Sequence, residues 1–460
     1  MNDQTSQNTG SKIIYWIKNS ISARMFMVGA LILILLIPLL FVQELIRERA
    51  IRQENVVSEI NDKWGDEVLV YGPVLKIPYR TFREKSITNS QTKEVTTESI
   101  EEVRYAYFLP KELNIKALVN PEMKKRGIYK TAVYKSRTEL TGSFSVPNFD
   151  EEDIAEEHII WEKSRIIFQI SNLKGVNEQV NISLGHVQYN FTSKYQEQTS
   201  LPGAERQLFS MESESLKEKS LPQKNPVSFS MQLSVNGSSQ ISFVPVGKIT
   251  EAQISSNWKT NNFTGNFLPY NEDKITAEGF NAKWKILDIN RPFPQSFIST
   301  LPNLSEYAFG VNFMIPVDEY QKSERAAKYG FLVIGLTFLL FFLIQTLSNI
   351  PIHPFQYVMI GLGLVMFYTL LISISEHSSF LKAYLIAGTA IILLITLYSK
   401  SILKGWKFPL FIGLALSALY SFIYIIIQLE SYALLVGSIG LFMILAGVMY
   451  ASRKIDWENY

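Results

Sequence analysis

Residues 329 to 452 carry only six charged side chains, Glu376, Lys382, Lys400, Lys404, Lys407 and Glu430, in a chain that has 44 basic and 42 acidic residues. This tract constrains the fold most, because one charge at the centre of a spanning helix costs roughly 2.5–3.5 kcal/mol. A bilayer core is crossed by about 20 apolar residues. Five segments of that kind are present: Tyr329–Leu347, Phe355–Ile374, Ala383–Tyr398, Phe408–Ile427 and Tyr432–Tyr450. The third is the shortest. A sixth, charge-free run lies far upstream, from Met25 to Val42, with Pro38 inside it. Spanning helices tolerate proline when neighbours re-satisfy the freed carbonyl. A cleaved signal peptide is the competing reading, but its apolar region is normally about 7–15 residues long and ends at a small-x-small site. This run passes instead into Gln43-Glu44-Leu45-Ile46-Arg47-Glu48-Arg49, as an uncleaved anchor does.

Basic residues in short loops set orientation. Lys400, Lys404 and Lys407 share one loop, and Arg453 with Lys454 follows the last span. The alternate loops hold Glu376 with Lys382, and Glu430. This places the C-terminus in the cytoplasm, and six spans place the N-terminus there too, in agreement with Lys12, Lys18 and Arg24. The expected order is a cytoplasmic N-terminus at 1–24 and a first membrane helix at 25–46. An extracytoplasmic β-rich domain at 47–325, a five-helix bundle at 326–452 and a cytoplasmic tail at 453–460 follow. Small residues recur at Gly413, Ser417 and Ser421, and at Gly437, Gly440 and Gly447. Such spacing lets helix backbones approach in lipid, within one bundle or, alternatively, across a dimer interface. The sequence leaves the oligomeric state open.

After the first span the apolar positions Ile46, Ala50, Val57, Ile60 and Trp64 continue one helical stripe until Gly65. Beyond it the period becomes two. Val227, Phe229, Met231, Leu233 and Val235 alternate with polar residues, and Asn236-Gly237 then predicts a hairpin turn. Further strands are expected at Glu67–Tyr71, Val74–Tyr79, Val103–Leu109, Ile128–Val146, Ile159–Ile170 and Val187–Thr192. No long helical pattern separates them, so a mainly antiparallel β domain inserted between the first and second membrane helices is expected. The stretches Glu84–Glu102 and Gln196–Lys224 have the polar composition of loops.

Chemical motifs are sparse. The four histidines, at 158, 186, 353 and 377, form no His-x-x-x-His pair, which excludes a zinc peptidase of the His-Glu-x-x-His type. There is no phosphate-binding Gly-x-x-x-x-Gly-Lys-Ser/Thr loop and no Gly-x-Ser-x-Gly elbow. The absence of cysteine excludes disulfides and thiolate metal sites. A net charge of +2 offers no surplus for nucleic acid. The expectation is a non-enzyme without cofactor or metal, whose first partner is the lipid bilayer. The candidate functional residues lie at helix mouths. Glu376 and His377 follow the outer end of the third span; His353 and Tyr357, four apart, start the same helix. They suit either a proton-sensing helix or interfacial caps. Asp318, Arg325 and Lys328 head the second span, where Arg325 and Lys328 could anchor lipid phosphates or pair with Asp318 to lock the soluble domain onto the bundle. The four on the third span, His353, Tyr357, Glu376 and His377, are expected to matter more than the 196–224 loop.

The stretch Pro316-Val317-Asp318-Glu319-Tyr320-Gln321, followed by Arg325-Ala326-Ala327-Lys328-Tyr329, resembles the CreD family of bacterial inner-membrane, cell-envelope-integrity proteins. The likeness continues through Ile352-His353-Pro354-Phe355-Gln356-Tyr357, Gly361-Leu362-Gly363-Leu364-Val365-Met366-Phe367-Tyr368 and Ser373-Ile374-Ser375-Glu376-His377. In the β domain, Gly72-Pro73-Val74-Leu75-Lys76-Ile77-Pro78 and Phe263-Thr264-Gly265-Asn266-Phe267-Leu268-Pro269 look like family motifs. The resemblance implies an inner-membrane protein with a periplasmic domain, produced under a two-component system that responds to envelope stress. It supplies no reaction. One departure is Gln345, where the family commonly has glutamate shortly after the paired phenylalanines, and it argues against a carboxylate proton relay there. The expected function is envelope maintenance through a periplasmic protein or envelope component. A transporter or lipid-handling protein is the alternative.

Overall fold

The computed structural model describes residues 21–88, 95–149, 154–194, 207–259, 262–313, 319–348, 350–403, 405–429 and 432–453. Two compact units emerge, one of Met1–Glu54 with Val317–Tyr460 and one of Asn55–Pro316.

Helix α1 (Ile21–Trp64) runs through the first apolar segment and its charged continuation, and Gly65 ends it. In the first unit it is joined by α2 (Glu319–Lys328), α3 (Gly330–Ser348), α4 (Pro354–Ser375), α5 (Phe380–Leu403), α6 (Lys407–Gln428) and α7 (Ala433–Ser452). Among the described residues six stretches are long and apolar enough to cross a membrane, α2 and α3 together counting as one, as the one-plus-five pattern predicts. The third later segment, expected to be the shortest, is instead the 24-residue α5. Its ends were hidden by charge: Lys382 lies in its first turn, and Lys400 near its end sits 4.2 Å from the Trp406 ring centroid. Long cationic side chains can lie along a helix and keep only their heads in water.

Val28, Leu35, Leu39, Val42 and Ile46 are buried at the spacing of one helical face, so α1 is packed into the bundle. Gly361 of α4 makes the approach possible, since a Cβ there would lie 2.1 Å from Leu35 Cδ1. Gln43 Nε2 donates to the Ala327 carbonyl at 3.0 Å. The small-residue row at 413 packs within the bundle: Ser417 Oγ donates to the Gly413 carbonyl, and Gly413 faces Thr396 of α5.

The second unit is a sixteen-stranded mixed sheet with a single apolar core. In chain order the strands are β1 (Val68–Thr88), β2 (Val95–Phe108), β3 (Glu112–Arg126), β4 (Tyr129–Phe144), β5 (Arg165–Ile170), β6 (Asn181–Leu184), β7 (Val187–Ser193) and β8 (Phe209–Ser213). They continue as β9 (Val227–Ser238), β10 (Gln240–Phe243), β11 (Ile249–Ser256), β12 (Asn262–Gly265), β13 (Ile275–Thr276), β14 (Gly279–Leu287), β15 (Ser296–Ile298) and β16 (Phe309–Asn312). Antiparallel pairs dominate, as expected, with two parallel pairings, β1 with β10 and β3 with β11. Strand β7 pairs with β6 through its first half and with β8 through its end, passing the sheet from one half to the other. The halves meet through aromatic contacts: Trp284 lies 5.4 Å from Phe309, and Tyr134 5.2 Å from Phe313.

Three expectations for this unit need correction. The segment Glu84–Glu102 is not a loop where described, because β1 continues to Thr88 and β2 starts at Val95, paired throughout. Polar composition misled because this two-stranded arm extends past the rest of the sheet, with no third strand to bury it. Within 196–224, β8 pairs with β5 and β7, so the described part is woven into the sheet; residues 195–206 lie outside the described residues. The third correction concerns Asn236-Gly237. Strand β9 runs through both residues in register with β4, and the chain only bends at Ser239, whose φ is 57°. Strand β10 then joins β1 and β16 rather than β9. Glycine at 237 serves packing: a Cβ there would lie 2.3 Å from the Tyr134 hydroxyl oxygen. That hydroxyl donates to the Gln240 carbonyl at 2.7 Å, while Trp64 Nε1 donates to the Tyr134 carbonyl at 3.3 Å.

Overpacking a core costs about 1–3 kcal/mol, and each kcal/mol lowers Tm by roughly 2–4 °C in a unit of this size. Gly237→Val should therefore lower the melting temperature of the purified protein by roughly 5–10 °C, measured by tryptophan fluorescence. A turn at 236–237 would instead tolerate the variant only with a rearranged β9–β10 connection.

Candidate functional site

Four of the seven residues singled out by the sequence lie in α4 or at its ends, and the structure separates them into two groups with different chemistry. At the first end Pro354 opens the helix and His353 is its N-cap. Phe355 N–H donates to His353 Nδ1 at 3.2 Å, and His353 N–H donates to Gln356 Oε1 at 2.9 Å. These bonds satisfy groups that a helix start leaves open. His353 is exposed and acts as a cap, whereas Tyr357, one turn on, is fully buried. The two share no site.

Tyr357 Oη donates to Gln345 Oε1 of α3 at 2.8 Å, with both side chains buried. Phe338 and Phe341 lie 5.2 and 6.3 Å from the tyrosine ring. A primary amide in hydrocarbon needs a partner, and this pair gives α3 and α4 a polar lock within an aromatic wall. Gln345 is absent from the sequence candidates as a site residue, although an amide deep in an apolar run is itself the signal that an interhelical hydrogen bond is required.

At the other end Glu376 sits at the C-cap of α4. Its carboxylate opposes the helix dipole there, which is unfavourable by about 0.3–1 kcal/mol. Its side chain makes no cap. Glu376 Oε1 accepts from Tyr320 Oη of α2 at 3.2 Å and lies 3.7 Å from Arg49 Nη1 of α1. Beside it Glu319 Oε2 accepts from the Phe380 N–H at 2.9 Å, placing a carboxylate at the start of α5, where the dipole favours it. Lys322 Nζ lies 5.8 Å from the Phe380 ring centroid. Arg49, Glu319, Tyr320 and Glu376 thus join α1, α2, α4 and α5 in one polar knot. Sequence reasoning missed Arg49, which looks like any charge in the polar continuation of α1, and its partner becomes visible only when α1 packs beside α4. His377 is exposed next to this knot.

The cations of α2 are placed differently. Lys328 Nζ pairs with Glu324 at 2.9 Å, one turn back, and Arg325 is exposed. Asp318 lies outside the described residues. Among the described residues no cluster of His, Asp or Glu has the form of a metal site.

A family model described as Inner membrane protein CreD matches residues 20–458, which takes in α1, the sheet unit and the whole bundle. The chain belongs to the CreD family. It is 30% identical over 433 residues to Inner membrane protein CreD of Escherichia coli (strain K12), covering 93% of this chain and 92% of that protein. Family membership and six apolar helices together make it a multi-pass inner-membrane protein. Within this CreD-family chain, the amide oxygen at 345 accepts the tyrosine hydrogen bond as a carboxylate would, but it has no ionisable group with which to relay a proton.

Tyr357→Phe should leave Gln345 Oε1 buried without a partner and destabilise the protein by about 1–2 kcal/mol. Adding Gln345→Leu should recover most of that loss, because an apolar pair needs no partner. Melting temperatures of the two single variants and the double variant in detergent check this; additive losses would mean the contact does not couple the helices.

Proposed function

We propose that this protein supports cell-envelope integrity from the inner membrane, without catalysing a reaction, by offering its β-rich unit to a partner in the periplasm. The observation that carries the proposal is an open cradle of about 590 Å³, of mixed polar and apolar lining, on the outward face of β9, β4, β3 and β11. Lys116, Arg137, Glu139, Gln232 and Gln253 project from neighbouring strands, with Glu178 at the rim. The strands alternate strictly here: Ile115, Ala117, Thr138 and Leu233 point to the core while their neighbours line the cradle. A broad surface with both signs of charge suits a macromolecular partner better than an enclosed small-molecule site does.

In cells lacking the endogenous gene, Lys116→Glu with Arg137→Glu should fail to restore detergent tolerance while the protein stays at wild-type levels in the membrane. Full complementation by this variant would remove the cradle from the reading. Glu376→Ala should also weaken complementation, and more than His377→Ala, because Glu376 alone of the two bonds to neighbouring helices.

The topology in this reading has both termini in the cytoplasm and the sheet unit in the periplasm, supported by Lys400, Lys404, Lys407, Arg453 and Lys454. The cysteine-free sequence makes it directly testable. Ser215→Cys should react with a membrane-impermeant maleimide in intact spheroplasts, and Lys407→Cys only after lysis; the reverse pattern inverts the topology.

A further inference from the structure

Between α3, α6 and α7 the bundle is open. Helix α7 has no buried residue, although the other helices of the bundle have several each. Two cavities occupy the gap. The first, about 370 Å³, lies at the end where α2 enters and is walled by Leu332, Ile426 and Leu441, with Arg325 and Lys328 at its mouth. The second, about 440 Å³, continues along the same helices past Leu336, Leu340 and Leu416 to Leu343 and Val448, and is almost wholly apolar. Phe422 lines both, and it seats against Gly440 of α7, where a Cβ would lie 2.1 Å from the ring.

The dimensions and the charge point to one occupant. From Leu332 to Leu343 the groove follows α3 for eleven residues, roughly 16 Å at the helical rise, which is about half of a 30 Å hydrocarbon core. One end is cationic and the remainder is apolar. Among the described residues Arg325 has no acidic partner, while Lys328 shares its charge with Glu324. Residues three apart on a helix are neighbours, so the two cations can converge on one phosphate. An uncharged peptide helix would leave the cations unmatched, and a small anion would leave the apolar length unused.

We propose that the groove between α3, α6 and α7 is a binding site for one anionic glycerophospholipid of the surrounding leaflet, with its phosphate at Arg325 and Lys328 and an acyl chain along Leu332, Leu336 and Leu340. The site reaches beyond the partner-binding role of the sheet unit and does not depend on it.

Native mass spectrometry of the full chain in detergent tests the assignment, with phosphatidylglycerol and phosphatidylcholine of identical acyl chains as probes. Wild-type protein should retain phosphatidylglycerol at least fivefold more than phosphatidylcholine. Arg325→Ala with Lys328→Ala should bring the two to the same low level. Gly437→Leu, which fills the first cavity where a Cβ has 3.8 Å of room to Ile426, should reduce retention of both. Melting temperature in detergent reports whether each variant is folded, and the milder Arg325→Gln replaces the double variant if that one melts early. Equal retention of the two lipids by wild type, undiminished phosphatidylglycerol on the folded cation variants, or a dimer that excludes lipid would each overturn the proposal.

Discussion

Hydrocarbon makes an unpaired polar group costly, and the membrane unit is organised largely around that cost. Backbone groups are satisfied by the helices themselves, so the deciding cases are side chains. Thr337 and Ser399 turn their hydroxyls back onto carbonyls one turn earlier, at 2.6 Å each. Tyr384 reaches across to the Tyr420 carbonyl at 2.8 Å, and Tyr357 reaches Gln345. Bonds of the last kind join helices, and these two lie where α3, α4, α5 and α6 meet. The hydroxyls of Tyr368 and Tyr420 are buried without a hydrogen-bond partner, and both rings pack on Phe367, with centroids 4.9 and 4.6 Å away. Ring packing keeps these tyrosines in place where hydrogen bonding does not.

The sheet unit meets a different constraint, since water is available on one face and a core must be closed on the other. Alternating burial in β3, β4, β9 and β11 sends one set of side chains inward and leaves the opposite set to form the cradle. The inward set reaches as far as the end of α1. Asn61 accepts from Thr131 Oγ1 at 3.0 Å and donates to Ser239 Oγ at 3.3 Å, and Trp64 bonds to the Tyr134 carbonyl. The last turns of that helix are therefore part of the sheet's own polar network.

This division explains what could be read in the sequence. The six spans were legible because hydrophobic length is a local quantity, and the strands β4, β7 and β9 because alternation is local too. The error at Asn236-Gly237 arose where a local rule met a tertiary demand. The dipeptide is a good turn former, but the glycine is required by a tyrosine a hundred residues earlier in the chain, and the strand bends only at Ser239. The polar arm of β1 and β2 was missed for a related reason, because a two-stranded ribbon with water on both faces has no apolar alternation to display. At the candidate site, His353 and Glu376 were legible as helix ends. Arg49 and Tyr320 were not, because they belong to Glu376 only through the packing of α1 and α2 beside α4.

The bundle is consequently asymmetric in what holds it together. On the side of α1 to α4, polar contacts at Gln43, Arg49, Tyr320, Gln345 and Glu376 fix helix against helix. On the far side, among the described residues, the side-chain bonds of α7 return to its own carbonyls, from Ser438 to Leu435 and from Ser452 to Met449. Lipid tails are as apolar as leucine, so burying leucine between helices gives α7 little reason to stay attached. Its hold rests on close packing, chiefly at Gly440 against Phe422. A site built to admit a lipid from the side has to lie where displacing a helix breaks no hydrogen bond, and the α7 edge is the part of this bundle that meets the condition.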